Sequence, residues 1–212
     1  LDDLGATRLD DVLDYVGGVS RQNNFGGLWD NIAIRGLPGN ENTGMATLLN
    51  GFSSSRGFNA PRDLAGVERV EFLKGPAAAL YGSSEPGGTL NVVTKKPQFT
   101  AANKAGVQVG TLGYRRTTLD STGPLGTDVA YRLNVAAEDG ASRSNLVDNR
   151  KMVVAPAITW NLSPNTVLNY EAEFIRIRTP LDRGLVQVYG NVGALPRDRF
   201  LGEPDRGHPH VN

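Results

Sequence analysis

Apolar positions along the chain follow two different periods. Between Thr7 and Val16 the apolar residues are Leu9, Val12, Leu13 and Val16. That i, i+3, i+4, i+7 spacing predicts a half-buried helix, with Thr7 as N-cap and Asp10 and Asp11 favouring the first turn. Gly17-Gly18 closes it. Val19 to Gly27 reads as strand or loop. Ile32 and Ile34 alternate with polar or small neighbours, so Asn31 to Arg35 is a short strand closed by Gly36. Leu49-Asn50-Gly51-Phe52 is a hairpin signal, because a type I′ turn needs positive φ at both central residues. Val67 to Leu73 predicts a strand with Val70 and Phe72 on one face, stopped by Gly75-Pro76. Ala77 to Tyr81 has room for one helical turn, Gly82 to Gly88 is a loop, and Leu90 to Thr94 is a strand ended by Lys95-Lys96-Pro97. Short elements between Gly-rich loops predict an α+β domain over residues 1–99.

After residue 100 the helical period vanishes and long alternations replace it. Ala105, Val107, Val109 and Thr111 share one face. So do Val129, Tyr131, Leu133, Val135 and Ala137, then Met152, Val154, Pro156, Ile158 and Trp160, then Leu168, Tyr170, Ala172 and Phe174. The runs are about 9–11 residues long, the length of a tilted strand crossing a bilayer. Gly123-Pro124-Leu125-Gly126 and Leu162-Ser163-Pro164-Asn165 are short turns, whereas Asp139 to Asn149 is a longer polar connection. Short turns at one end and long loops at the other predict antiparallel transmembrane β-barrel strands over residues 100–212. A soluble β-sandwich also has one apolar face. Two details favour the barrel: charges on the polar faces (Arg132, Glu138, Glu171, Glu173), and aromatic residues (Tyr131, Trp160, Tyr170, Phe174) near strand ends, as in an interfacial girdle.

Composition narrows the function. The chain has 22 Lys+Arg and 22 Asp+Glu, a net charge of zero, which argues against a nucleic-acid binder. No run of about 18 apolar residues is present, so no spanning helix is expected. Leu1-Asp2-Asp3 is acidic where a signal peptide is basic, which suggests a processed or trimmed start. There is no cysteine, so disulfides and thiolate chemistry are excluded. The two histidines are His208 and His210, so histidine acid–base chemistry has no place in the body of the chain.

Catalytic motifs are wanting. Gly75 to Gly82 has the wrong glycine spacing for a phosphate loop, and no lysine follows Gly82. No Gly-x-Ser-x-Gly elbow exists. Glu171 and Glu173 share a strand face, where a hydrated wall is a simpler reading than a glycosidase pair. His208-Pro209-His210 with Glu203 and Asp205 could form a metal cluster, although a solvated tail is the plainer reading.

The stretch from Gly66 to Pro97, with Gly75-Pro-Ala-Ala-Ala-Leu-Tyr-Gly82 at its centre, closely resembles the plug signature of TonB-dependent outer-membrane receptors. Asn31-Ile-Ala-Ile-Arg-Gly36, Leu49-Asn-Gly51 and Leu9 to Val19 resemble further plug motifs in the same order. Together the resemblance covers residues 8–97. Ala155 to Trp160 and Leu195 to Pro204 resemble the siderophore-receptor branch, of the ferrichrome and ferrioxamine type.

The resemblance implies a bacterial outer-membrane barrel of about 22 strands with the plug folded inside it, of which this chain holds about five strands. It implies a receptor and active transporter of ferric siderophores, energised by the TonB complex through plug rearrangement. Partners would be a ferric siderophore, of hydroxamate type by this branch, the TonB complex and outer-membrane lipid, with no nucleic acid. Iron would arrive only within the siderophore, with no covalent cofactor, no resident metal and no enzymatic step. A haem or cobalamin ligand, or a binding or signalling receptor without transport, are the alternatives. A TonB box would precede Leu1. Roughly 400 further residues with about 17 more alternating segments would follow Asn212.

By position in the matched motifs, Arg35 stands where family members place a ligand-contacting arginine. The tip after Asn50-Gly51 offers Ser54, Ser55, Arg56 and Phe58, suited to siderophore oxygens and apolar carbons. It is serine-rich where relatives are aromatic. Tyr189, after the fifth barrel strand, is a candidate for the external pocket. Glu68, Arg69 and Glu71 are candidates for plug–barrel contacts or, equally, for ion pairs within the plug surface. An arginine holding a strand end is the structural alternative for Arg35.

Overall fold

A computed structural model describes residues 4–22, 28–39, 46–54, 61–74, 87–142, 144–182, 184–191, 193–202 and 210–211. The chain divides into two compact units, residues 1–95 and 96–212.

The first unit is α+β. Helix α1 spans Leu9–Val12 and continues as a 3-10 turn, Leu13–Tyr15. Its N-cap is Arg8 rather than Thr7. The start is held by Asp11, whose Oδ2 accepts from the backbone N–H of Thr7 and of Arg8, both at 2.9 Å. A carboxylate at this position satisfies N–H groups that the helix itself cannot. The buried face, Leu9, Val12 and Leu13, packs with Ile32, Leu64, Val67, Leu90 and Val92 into the unit's core.

Two small sheets complete the unit. Strands β1 (Val19–Arg21), β2 (Ile32–Ile34) and β3 (Leu37–Gly39) form an antiparallel sheet. Strands β4 (Ala46–Leu49), β5 (Phe52–Ser53), β6 (Val67–Lys74) and β7 (Gly88–Thr94) form the other, in the order β5-β4-β7-β6. Here β4 runs parallel to β7, and the other pairs are antiparallel. The helical turn expected over Ala77 to Tyr81 lies outside the described residues.

The second unit is a sequential meander: β8 (Ala102–Val109), β9 (Arg115–Pro124), β10 (Val129–Ala141), β11 (Asp148–Ser163), β12 (Thr166–Glu171) and β13 (Phe174–Arg178). Both β12 and β13 pair with β11 in one register from Arg150 to Asn161, with a shift only at Ser163, and the Ala172 N–H bonds the Pro156 carbonyl between them. They act as a single strand, so β8 to β13 make five long strands among the described residues. A two-residue strand, β14 (His210–Val211), follows at the edge. The connection expected from Asp139 to Asn149 is shorter than its polarity suggests. Strand β10 runs on to Ala141 and β11 starts at Asp148, because Arg115, Asp139 and Arg150 pair across the strands there.

Alternation gives this meander two opposite faces. One face carries the row Ala105, Leu119, Val135, Val154 and Phe174, joined by register, with Val107 on the adjacent level. It is the solvent-exposed face: Val109 is 81% and Phe174 64% exposed. The other face carries Arg116, Thr122, Asn134, Glu138 and Lys151, and all of these are buried. A soluble sandwich buries its apolar side, so the arrangement is inverted. A barrel wall with lipid outside and a polar interior has this pattern.

Candidate ligand-contact site

Two tight hairpins present the sequence-predicted residues of the first unit. Strands β2 and β3 join through Arg35-Gly36, with φ of 54° and 76°. Strands β4 and β5 join through Asn50-Gly51, with φ of 53° and 84°. Both fit the primed turns that right-twisted strands require. Asn and Gly suit such positions, whereas an arginine there costs about 1–2 kcal/mol. Arg35 is exposed, and its backbone N–H is tied to the Gly18 carbonyl at 2.8 Å. No side-chain bond from Arg35 to a strand-end carbonyl is present among the described residues. Arg35 is thus a strained, exposed arginine at a tight turn.

The Asn50-Gly51 turn is pinned from behind. Asn50 Nδ2 donates to Thr94 Oγ1 at 2.9 Å, and Asn50 Oδ1 accepts from the Thr94 N–H at 3.0 Å. The Gly51 N–H donates to Asn91 Oδ1 at 3.0 Å, and Asn91 Nδ2 donates to Glu71 Oε2 at 2.7 Å. Arg69 Nε completes the chain by donating to Glu71 Oε1 at 2.7 Å. These bonds, from Arg69 first and Asn91 second, hold the Glu71 carboxyl below its usual value of 4.5. Arg69 also pairs with Glu68 at 3.5 Å. Glu68, Arg69 and Glu71 thus pair with one another inside the unit.

Beyond the turn, Phe52 is largely exposed and Ser54 half-buried, with the Ser54 N–H on the Thr47 carbonyl at 2.9 Å. Ser55, Arg56 and Phe58 lie outside the described residues. Asn91 and Phe52 are additions to the sequence reading. Asn91 looks like an ordinary strand residue until its register against Glu71 is known. Phe52 opens the same tip as Ser54.

In the second unit, Tyr189 has φ of 47° and is fully exposed. It sits in a turn closed by reciprocal backbone bonds between Val188 and Asn191. That turn is outside the strand rows, so Tyr189 is a loop residue and not part of a girdle. The Leu195–Pro204 segment is anchored at Asp198, whose carbonyl and carboxylate accept from Asn145 at 2.8 and 3.0 Å. Asn145 belongs to the β10–β11 connection, so the loops at this end interlock.

The buried polar face has two charged layers. In one, Glu138 Oε2 takes Arg116 Nη1 at 2.8 Å and Lys151 Nζ at 3.1 Å. In the other, which is only half-buried, Arg132 grips Asp120 with two bonds of 2.7 and 2.8 Å, and the exposed Lys96 pairs with Glu171. The fork geometry makes the Arg132 pair strong and directional. Among the described residues there is no cluster of His, Cys, Asp or Glu able to hold a metal. Glu203, Asp205 and His208 lie outside those residues, and His210 is in β14.

An α+β unit followed in one chain by a meander with its apolar side exposed and its polar side buried has the make-up of a plug domain and outer-membrane barrel strands. Residues 1–89 match the family model for the TonB-dependent receptor plug domain. The chain is 47% identical over 210 residues to the metal-pseudopaline receptor CntO of Pseudomonas aeruginosa, covering 98% of this chain and 29% of that protein. It is 29% identical over 196 residues to the ferrichrome outer membrane transporter/phage receptor of Escherichia coli, covering 90% and 26%. Among solved structures, the open form of the ferric-catecholate import receptor Fiu from E. coli K12 aligns with a TM-score of 0.73 at 30% identity, covering 87% of this chain and 26% of that one. The chain belongs to the TonB-dependent receptors, a family of outer-membrane proteins, and comprises a plug with the first strands of the barrel. It spans about 29% of the length of the metal-pseudopaline receptor.

Proposed function

We propose that the whole protein is an outer-membrane receptor that binds a metal–siderophore complex outside the cell and passes it inward, energised by TonB through rearrangement of the plug. The observation that carries this reading is the pairing of a plug with an inverted meander in a chain 47% identical to a metal-pseudopaline receptor. The metal enters as part of the ligand, and no covalent step is involved. The plug ends and the barrel begins between residues 95 and 100. Arg35, Ser54, Ser55, Arg56 and Phe58 contact the ligand from the plug tips, and Tyr189 does so from a barrel loop. Glu68, Arg69 and Glu71 form exposed pairs, each worth under about 1 kcal/mol, which suits a plug surface whose contacts must break during transport.

The difference between 47% and 29% identity favours a pseudopaline-like metallophore over a hydroxamate. A hydroxamate is the second reading, supported by the match to the ferrichrome transporter over 90% of this chain. Binding of metal-pseudopaline, ferrichrome, ferrioxamine, a ferric catecholate and haem to the purified full-length receptor tests this. Tight binding of metal-pseudopaline is expected. Tight binding of ferrichrome or ferrioxamine instead selects the second reading. Binding of haem alone overturns the assignment.

A further inference from the structure

The apolar face of the meander ends in a row of guanidinium groups. Arg115, Arg150 and Arg178 occupy one cross-strand level, reached through Asp139 on β10. Arg176 stands one level below, opposite Met152. All four arginines are exposed, the side chains of Arg115 and Arg150 by 74% and 69%. Two carboxylates share these strand rows with the four cations: Asp139 lies 2.8 Å from Arg115 Nη2 and 3.4 Å from Arg150 Nε, and exposed Asp148 stands on the same face one level beyond Arg150. Arg176 and Arg178 form no ion pair among the described residues, and with Arg150 and Met152 they line a shallow hollow between β11 and β13.

Position identifies the partner. The row adjoins an apolar band of exposed Val107, Met152 and Phe174 with half-buried Val154 among them. The band's other end carries Tyr131, Trp160 and Tyr170 on neighbouring levels. From Tyr131 to Asp139 is eight residues of β10, about 27 Å along the strand. A tilt of about 40° reduces this to roughly 20 Å, close to the apolar height of an outer-membrane barrel. The arginines stand at the end bearing the longer connections, 142–147 and the chain after Arg178, whereas the aromatic end bears the short turns. In such barrels the longer loops are extracellular. The row therefore lies at the headgroup level of the outer leaflet, where arginine forks match phosphate geometry.

We propose that Arg115, Arg150, Arg176 and Arg178 form a lipid-facing surface that binds the phosphate groups of outer-leaflet glycolipid. This rests on the barrel reading. It adds a site distinct from the proposed metal-chelate contacts at Arg35, Ser54 and Tyr189.

The test titrates purified full-length receptor in detergent with bisphosphorylated lipid A and with the same lipid freed of phosphate. The bisphosphorylated form is expected to bind at least about tenfold more tightly, and excess inorganic phosphate is expected not to displace it. The variant Arg150→Gln/Arg176→Gln/Arg178→Gln should lose that preference, and Arg178→Gln alone should lose part of it. Equal binding of both lipids by the unaltered receptor, displacement by free phosphate, or an unchanged preference in both variants overturns the proposal. Insertion is read separately, from heat-modifiable electrophoretic mobility of the unaltered receptor. Its absence overturns the barrel reading itself.

Discussion

Arg35→Gly separates a functional arginine from a structural one. Arg35 sits at φ 54° in a two-residue turn, and its side chain is exposed. The left-handed conformation costs an arginine about 1–2 kcal/mol. Glycine removes that strain but loses about 0.5–1 kcal/mol through its freer unfolded chain. The net effect on stability is therefore neutral or stabilising by up to about 1.5 kcal/mol. The bond from the Arg35 N–H to the Gly18 carbonyl survives, since it is made by backbone. If the guanidinium binds a ligand oxygen, its loss removes a charge-assisted hydrogen bond of about 1.5–3 kcal/mol, or about 10- to 100-fold in affinity. The assay is ligand titration of full-length receptor by fluorescence quenching, alongside thermal unfolding of the same samples. Weakened binding with an unchanged or raised Tm fits the reasoning. Unchanged affinity, or a Tm that falls with affinity, refutes it.

Three other perturbations follow from the geometry. A Cβ at Gly88 would stand 2.3 Å from the Leu73 carbonyl oxygen, and its φ is 142°, so Gly88→Ala should destabilise the β6–β7 pair by about 2–3 kcal/mol. Hydrogen exchange in β6 and β7 of the full-length receptor should then quicken by about 30-fold or more. Glu138→Ala leaves Arg116 and Lys151 buried without their carboxylate; a loss of about 3–5 kcal/mol is expected, read as a lowered Tm, and an unaltered Tm would contradict it. Glu71 is held below its usual 4.5 by Arg69 and Asn91. A depressed carboxyl stabilises the fold above its unfolded value and loses that contribution as pH falls through the folded one. Protection of the Gly51 amide should therefore decline below about pH 4.5 by less than about 1 kcal/mol, and Glu71→Gln should abolish that dependence.

How much was legible in the sequence depended on how local the cause was. The Asn50-Gly51 hairpin could be read directly, because that dipeptide suits positive φ at both positions. The equivalent turn at Arg35-Gly36 was legible only as a strand end, because arginine is no turn former. Strand β9 shows little alternation. Its outward positions are Arg115, Thr117, Leu119 and Ser121 and its inward ones Arg116, Thr118, Asp120 and Thr122, so both faces look polar and Leu119 alone marks the lipid side. Threonine's fondness for strands was the remaining signal. The rows of β10 and β11 were legible because Val, Tyr, Leu and Trp alternate there with small or charged residues. Partnerships across strands were not. That Glu138 meets both Arg116 and Lys151, or that Asn91 supports the Asn50-Gly51 hairpin, depends on register, which alternation fixes only in parity.

The central proposal is that the protein containing this chain carries metal chelates across the outer membrane. Uptake of radiolabelled metal-pseudopaline by metal-starved cells, with the full-length gene as the sole receptor and with TonB present or absent, tests it most directly. The account predicts accumulation inside cells that requires both the receptor and TonB, with surface binding alone when TonB is missing. Equal uptake with and without the receptor for metal-pseudopaline, ferrichrome and ferric catecholate alike would contradict it.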